Sequence, residues 1–149
     1  MTKTASIALT EDELDTLVSI AIRRAELLDD AGSPAAADAW YEVMFYEERL
    51  AEITAPGDIT GGVARVGAVS AALAAGQRQE AARLASQYLA EESLPPERRT
   101  AIERAFQEDR ERLARRFPAL AKNGRLAELD AWRATASRNP RVFPLALDP

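Results

Sequence analysis

Apolar residues recur along this chain at the spacing of a helix, and turn signals divide the pattern into about six segments. The first segment has an apolar face made of Leu14, Leu17, Val18, Ala21, Ala25 and Leu28. Thr10 and Glu13 form a capping box, which predicts that the first helix begins there. Gly32 ends this helix, and Ser33 and Pro34 are predicted to begin the second.

Breaks rich in proline and glycine set the limits of the remaining helices. The second helix is predicted to end near residue 53, before the break at 54–58, and Leu94-Pro95-Pro96 marks a further break. The helices beyond the first break are predicted at about 60–75, 77–92, 97–117 and 125–137. The apolar, proline-containing tail from 139 to 149 is predicted to be extended.

Three glycines occupy equivalent places in this pattern, because Gly32, Gly76 and Gly124 each follow a predicted helix. The stretch 72–81, around Gly76, resembles the central turn of a tetratricopeptide repeat. The glycines are 44 and 48 residues apart, whereas that family repeats every ~34 residues. The pattern predicts three αα-hairpins, arranged as a compact helical bundle or as a short array that resembles helical repeats.

The length of 149 residues is typical of one domain. We therefore expect a single all-α domain over 1–149, with an acidic N-terminal hairpin (10–54), a helical remainder (58–138) and the C-terminal tail (139–149). Composition agrees, since 31 of the 70 hydrophobic residues are alanine and only 12 are valine or isoleucine.

Composition also narrows the chemistry that can be expected. The chain contains no cysteine and no histidine, which removes thiolate chemistry, the commonest general base and the commonest metal ligand. We expect no catalytic residue, no cofactor and no bound metal. Neither a signal peptide nor a membrane-length apolar run is present, so we expect a cytoplasmic protein that does not bind membranes.

The charged residues suggest two alternative functions, nucleic-acid binding and carboxylate-dependent metal catalysis. Residues 1–57 carry a net charge of −8 and residues 58–149 a net charge of +3, an asymmetry that could serve self-association. Seven arginines lie between 97 and 116, so one alternative is a regulator that binds nucleic acid through the arginine-rich half. Five acids at pairing distance instead favour a salt-bridged surface helix, and nucleic acid is not the preferred partner.

The second alternative is a carboxylate-dependent metal enzyme of the all-helical kind. Its candidate ligands on the second helix are Glu42, Glu47, Glu48 and Glu52. In an antiparallel hairpin, Glu48 and Glu52 are expected to approach the acidic start of the first helix. A solvated acidic face is the simpler interpretation of these residues.

The second helix carries the strongest functional signal, because two residue types break its amphipathic pattern. Tyr41 and Phe45 fall outside the apolar face, among charged residues, and Glu47 falls within it. A carboxylate in that position requires a partner, so we expect an arginine from 98–133 to pair with Glu47.

We therefore predict a non-enzymatic interaction or assembly module, which binds a protein partner or a second copy of itself through the second helix. The residues predicted to bind the partner are Tyr41, Phe45, Glu48, Glu52, Asp38 and Glu47.

Overall fold

The computed structural model describes residues 8–119, which form five α-helices and no β-strand. In chain order these are α1 (Glu11–Asp30), α2 (Ala36–Glu52), α3 (Ile59–Ala74), α4 (Arg78–Leu89) and α5 (Pro96–Arg116). The all-α prediction is confirmed, and the five helices lie close to the predicted positions. The sixth predicted helix, 125–137, and the tail 139–149 lie outside the described residues.

The capping box at the start of α1 forms as predicted. The Thr10 hydroxyl accepts a hydrogen bond from the Glu13 amide at 3.1 Å, and the Glu13 carboxylate accepts one from the Thr10 amide at 2.9 Å. Two amides at the open end of the helix are thereby satisfied. Leu14, Val18 and Ala21 then point into the core, as the apolar pattern predicts.

Gly32 and Gly76 end α1 and α3 through the same turn. Their φ angles are +66° and +76°, in the left-handed region that glycine adopts without steric cost. The amide of the following residue donates back into the helix in each case: Ser33 N–H to the Leu28 carbonyl (2.9 Å), and Gln77 N–H to the Ala72 carbonyl (2.8 Å).

Two predicted helix ends differ from the structure. α2 begins at Ala36, not at Pro34, because Ser33 is used in a turn: its hydroxyl accepts from the Ala35 amide and its carbonyl from the Ala36 amide, each at 3.1 Å. α4 ends at Leu89 instead of near residue 92. The guanidinium of Arg99 donates to the carbonyls of Leu89 (2.7 Å), Glu91 and Leu94, and so holds the chain in a loop there.

The helices form a compact arrangement in which α3 is central. α3 packs against α2, α4 and α5, while α2 packs against α1 and α3. Small residues of α3 make this close packing possible. A Cβ on Gly61 would overlap the carbonyl of Ala55, and one on Gly62 would lie 3.1 Å from the Arg98 side chain.

α1 and α3 both pack on α2, but they make no substantial contact with each other. Within residues 8–119, no helix has both the length and the apolar character that crossing a membrane requires.

Candidate functional site

Five of the six predicted partner-binding residues lie along one side of α2. They follow one another at intervals of three and four residues, which places them in a single strip on a helix. We call this the outer strip, and its members are Asp38, Tyr41, Phe45, Glu48 and Glu52. The opposite side of the helix carries buried residues such as Val43 and Leu50.

Two aromatic rings form the middle of the outer strip. Tyr41 and Phe45 are each 45% exposed. They are four residues apart on a helix, so their rings project from neighbouring turns. The result is an exposed aromatic patch on an otherwise charged surface, and interaction hot spots commonly have this composition.

Contacts at the edge of the patch hold Phe45 in place. The guanidinium of Arg49 lies over its ring, 5.1 Å from the ring centroid, and the ring of Tyr46 meets it edge-on at 5.9 Å. Arg49 also pairs with Glu52 at 3.4 Å. A ring that is oriented before binding loses less conformational freedom when a partner covers it.

Glu48 connects the outer strip to α4. Its carboxylate accepts from Arg83 at 3.2 Å, and Arg83 pairs with Glu80 as well. Asp38, at the other end of the strip, is exposed. Three carboxylates therefore border the two rings, and two of them are partly neutralised by arginines from the same chain.

Glu47, the sixth predicted residue, is not part of the outer strip. It faces inward, towards α3, and is 5% exposed. Gly67 of α3 lies directly against its carboxylate, since a Cβ on Gly67 would overlap Glu47 Oε2. Glu47 therefore lies on the other side of α2 from Tyr41 and Phe45.

No arginine between 98 and 119 is paired with Glu47, so a partner for it from 98–133 stays a prediction. Arg99 donates to backbone carbonyls, and Arg112 pairs with Asp109 at 2.6 Å. The remainder of the predicted range, 120–133, lies outside the described residues. Burial, together with the negative charge of Asp15, raises the pKa of Glu47 to about 8.

Two observations bear on the alternative functions, a metal enzyme and a nucleic-acid-binding regulator. In the described part of the chain, no group of three or more acidic side chains is placed to hold a metal ion. Glu48 turns towards α4, and the α2 carboxylate that interacts with the start of α1 is Glu47, through Asp15. In the arginine-rich helix α5, Arg99 and Arg112 are already bound within the protein.

A charged site that the sequence reasoning missed lies on the other side of α3. Arg65 is 4% exposed, and its guanidinium donates to both carboxylate oxygens of Glu91, at 2.6 and 3.1 Å. It also donates to the carbonyls of Gly61 (2.9 Å) and Thr54 (3.2 Å). The signal was available, because Arg65 is the one charged residue in the sequence of α3.

A comparison with protein-family models found no match, and searches of curated proteins and of solved structures found none either. Membership of the tetratricopeptide-repeat family is therefore not shown, and the resemblance is confined to the turn around Gly76.

Proposed function

We propose that this protein works by binding another protein through the outer strip of α2, without catalysis of its own. The exposed, oriented pair of rings at Tyr41 and Phe45 carries this proposal. Exposed apolar side chains are common when they are scattered singly. Here the two rings are adjacent, they are bordered by carboxylates, and one of them is held by Arg49.

The acidic border indicates the chemistry of the partner surface. Asp38, Glu48 and Glu52 would meet a partner that carries basic residues around an apolar centre. A second copy of this chain is one such partner, because residues 58–149 carry a net charge of +3. Location in the cytoplasm is an expectation that accompanies this proposal.

The test is a double substitution, Tyr41→Ser with Phe45→Ser. Burial of the two rings at an interface contributes roughly 2–4 kcal/mol, so affinity for a partner or for a second copy should fall at least about 30-fold. The melting temperature should change little, because both residues are 45% exposed in the unbound protein and neither belongs to the buried core.

A matched control lies on α1, where Ile20 and Leu27 are 61% and 58% exposed. Replacing both with Ser removes a similar amount of exposed apolar surface outside the outer strip. Self-association is measured by sedimentation, and the affinity for partners captured with the natural chain is measured by titration calorimetry. Equal weakening by both double substitutions, or unfolding of the Tyr41/Phe45 variant, contradicts the proposal.

A further inference from the structure

The side of α2 that bears the outer strip has opposite charges on either side of its two rings. Asp38 precedes Tyr41 and Phe45, and Arg49 follows them. Arg49 was not among the residues predicted to bind a partner. Its guanidinium lies over the Phe45 ring, 5.1 Å from the centroid, so it belongs to the same surface. The exposed aromatic centre therefore has an acid towards one end of the helix and a base towards the other.

Helical spacing places the acid, one ring and the base on a single line. A helix turns by about 100° per residue, so Phe45 and Arg49, seven and eleven residues after Asp38, each lie within about 20° of it around the axis. Glu48 lies about 80° from Asp38, on the side of α4, where Arg83 binds it. The acid and the base of this line therefore share one flank of α2, and Glu48 is on the other.

Both charges have bonding capacity that the chain itself leaves unused. Asp38 is exposed and forms no ion pair within the part of the chain that the structure describes. The side chain of Arg49 is 56% exposed, and it donates to Glu52 through one guanidinium nitrogen at 3.4 Å. A guanidinium has several N–H donors. Arg49 can therefore bind a second carboxylate while it stays over the Phe45 ring.

The ring pair and the charge pair have nearly the same midpoint. Tyr41 and Phe45 are centred on position 43, and the centre of Asp38 and Arg49 lies half a residue further along, less than about 1 Å on the helix axis. A two-fold axis at this point would bring a second α2 antiparallel to the first and keep each residue on its own flank. Every contact would then be made twice, which is the requirement for a surface that binds its own copy.

We infer that the outer strip binds a second copy of this chain, through an antiparallel contact of α2 with α2 about a two-fold axis between Tyr41 and Phe45. Asp38 of each copy pairs with Arg49 of the other, and Tyr41 of each packs on Phe45 of the other. The inference rests on the proposed function, since it names the partner of the same surface. One helix from each copy makes a small interface, so the dimer should exchange with the monomer at micromolar concentrations.

The test reverses one charge at a time and then mixes the variants. Asp38→Arg places like charges opposite each other at both ends of the dimer, and so does Arg49→Glu. Each variant alone should dimerise at least about tenfold more weakly than the natural chain. In an equal mixture, each mixed dimer again has opposite charges at both ends, so the dissociation constant should return to within about threefold of the natural value. Sedimentation velocity over a dilution series measures these constants, and native mass spectrometry identifies the mixed dimer.

Glu26→Arg is the matched control, because Glu26 is an exposed acid on α1 and its reversal changes the net charge by the same amount as Asp38→Arg. It should dimerise as the natural chain does. The chain that carries both Asp38→Arg and Arg49→Glu should also dimerise by itself, since the charges are exchanged in both copies. Single reversals that dimerise as well as Glu26→Arg would overturn the inference, as would a mixture that dimerises no better than its components.

Failure of this inference can be distinguished from failure of the proposed function. A natural chain that stays monomeric throughout the micromolar range overturns the antiparallel dimer. The outer strip is then a surface for a different protein if Tyr41→Ser with Phe45→Ser abolishes the capture of that protein. If this double substitution leaves both self-association and partner capture unchanged, the proposed function fails as well.

Discussion

Replacement of Arg65 tests whether the loops at one end of the fold depend on a single buried guanidinium. This side chain lies against Glu91, at the start of the α4–α5 loop, and it binds two carbonyls around the α2–α3 loop. The guanidinium also lies over the ring of Tyr88, 5.5 Å from its centroid. Arg65→Ala therefore breaks a paired charge, two backbone contacts and a cation–π contact at once.

The geometry sets the size of the effect. Removal of one member of a buried ion pair costs about 3–5 kcal/mol, because the remaining charge stays unpaired. Here the remaining carboxylate of Glu91 is 28% exposed and regains some water, which favours the lower end, about 3 kcal/mol. Arg83, whose side chain is 48% exposed, also bridges two acids, yet Arg83→Ala should cost less than about 1 kcal/mol.

Urea unfolding followed by circular dichroism gives both values, from the shift in midpoint at constant slope. Arg65→Lys should lose an intermediate amount, since an ammonium group cannot donate in the planar fork that reaches Glu91, Gly61 and Thr54 together. The reasoning fails if Arg65→Ala and Arg83→Ala cost the same, or if Arg65→Lys is as stable as the natural protein.

Three further predictions concern stability. Gly67→Ala should destabilise the protein by about 1–3 kcal/mol, because the new methyl group overlaps Glu47. In a double-mutant cycle, the additional change Glu47→Ala should relieve much of that loss. Gly62→Ala is the comparison and should be close to neutral, since only the flexible Arg98 side chain must shift. Because the pKa of Glu47 is raised, the folded state holds a proton that the unfolded state releases. The free energy of unfolding should therefore fall between about pH 5 and 8, by at most ~1.4 kcal/mol per pH unit. Glu47→Gln should flatten this decline in urea titrations. Thr10→Ala should cost about 1 kcal/mol in the same assay through loss of the cap on α1.

The helices could be predicted from the sequence because their signals are local. The capping box at Thr10 and the glycine turns at Gly32 and Gly76 depend on residues within one turn of each helix end, and the structure shows each as predicted. The end of α4 could not be predicted in this way. It depends on Arg99, ten residues beyond Leu89, which binds the last carbonyl of the helix from the following helix.

The same distinction applies to the charged residues. The burial of Glu47 followed from its place in the apolar face of α2, which is a local property. Its surroundings did not, because Asp15 and Gly67 come from two other helices. The pairing of Arg65 with Glu91, 26 residues away, required the packing of α3 against α4 and α5.

α2 breaks the amphipathic pattern on both of its sides, and the two exceptions differ in their energetic consequences. Tyr41 and Phe45 remain in contact with water, so they cost the folded protein little and gain stabilisation only when another surface covers them. Glu47 is already removed from water, and its charge weakens the fold until a cation or a proton neutralises it. Substitutions on the two sides should therefore act in opposite ways. Removal of the rings should weaken association and preserve stability. Removal of the inner charge should raise stability at alkaline pH and leave association through the outer strip intact. This contrast separates a proposed binding surface from a buried charge on the same helix.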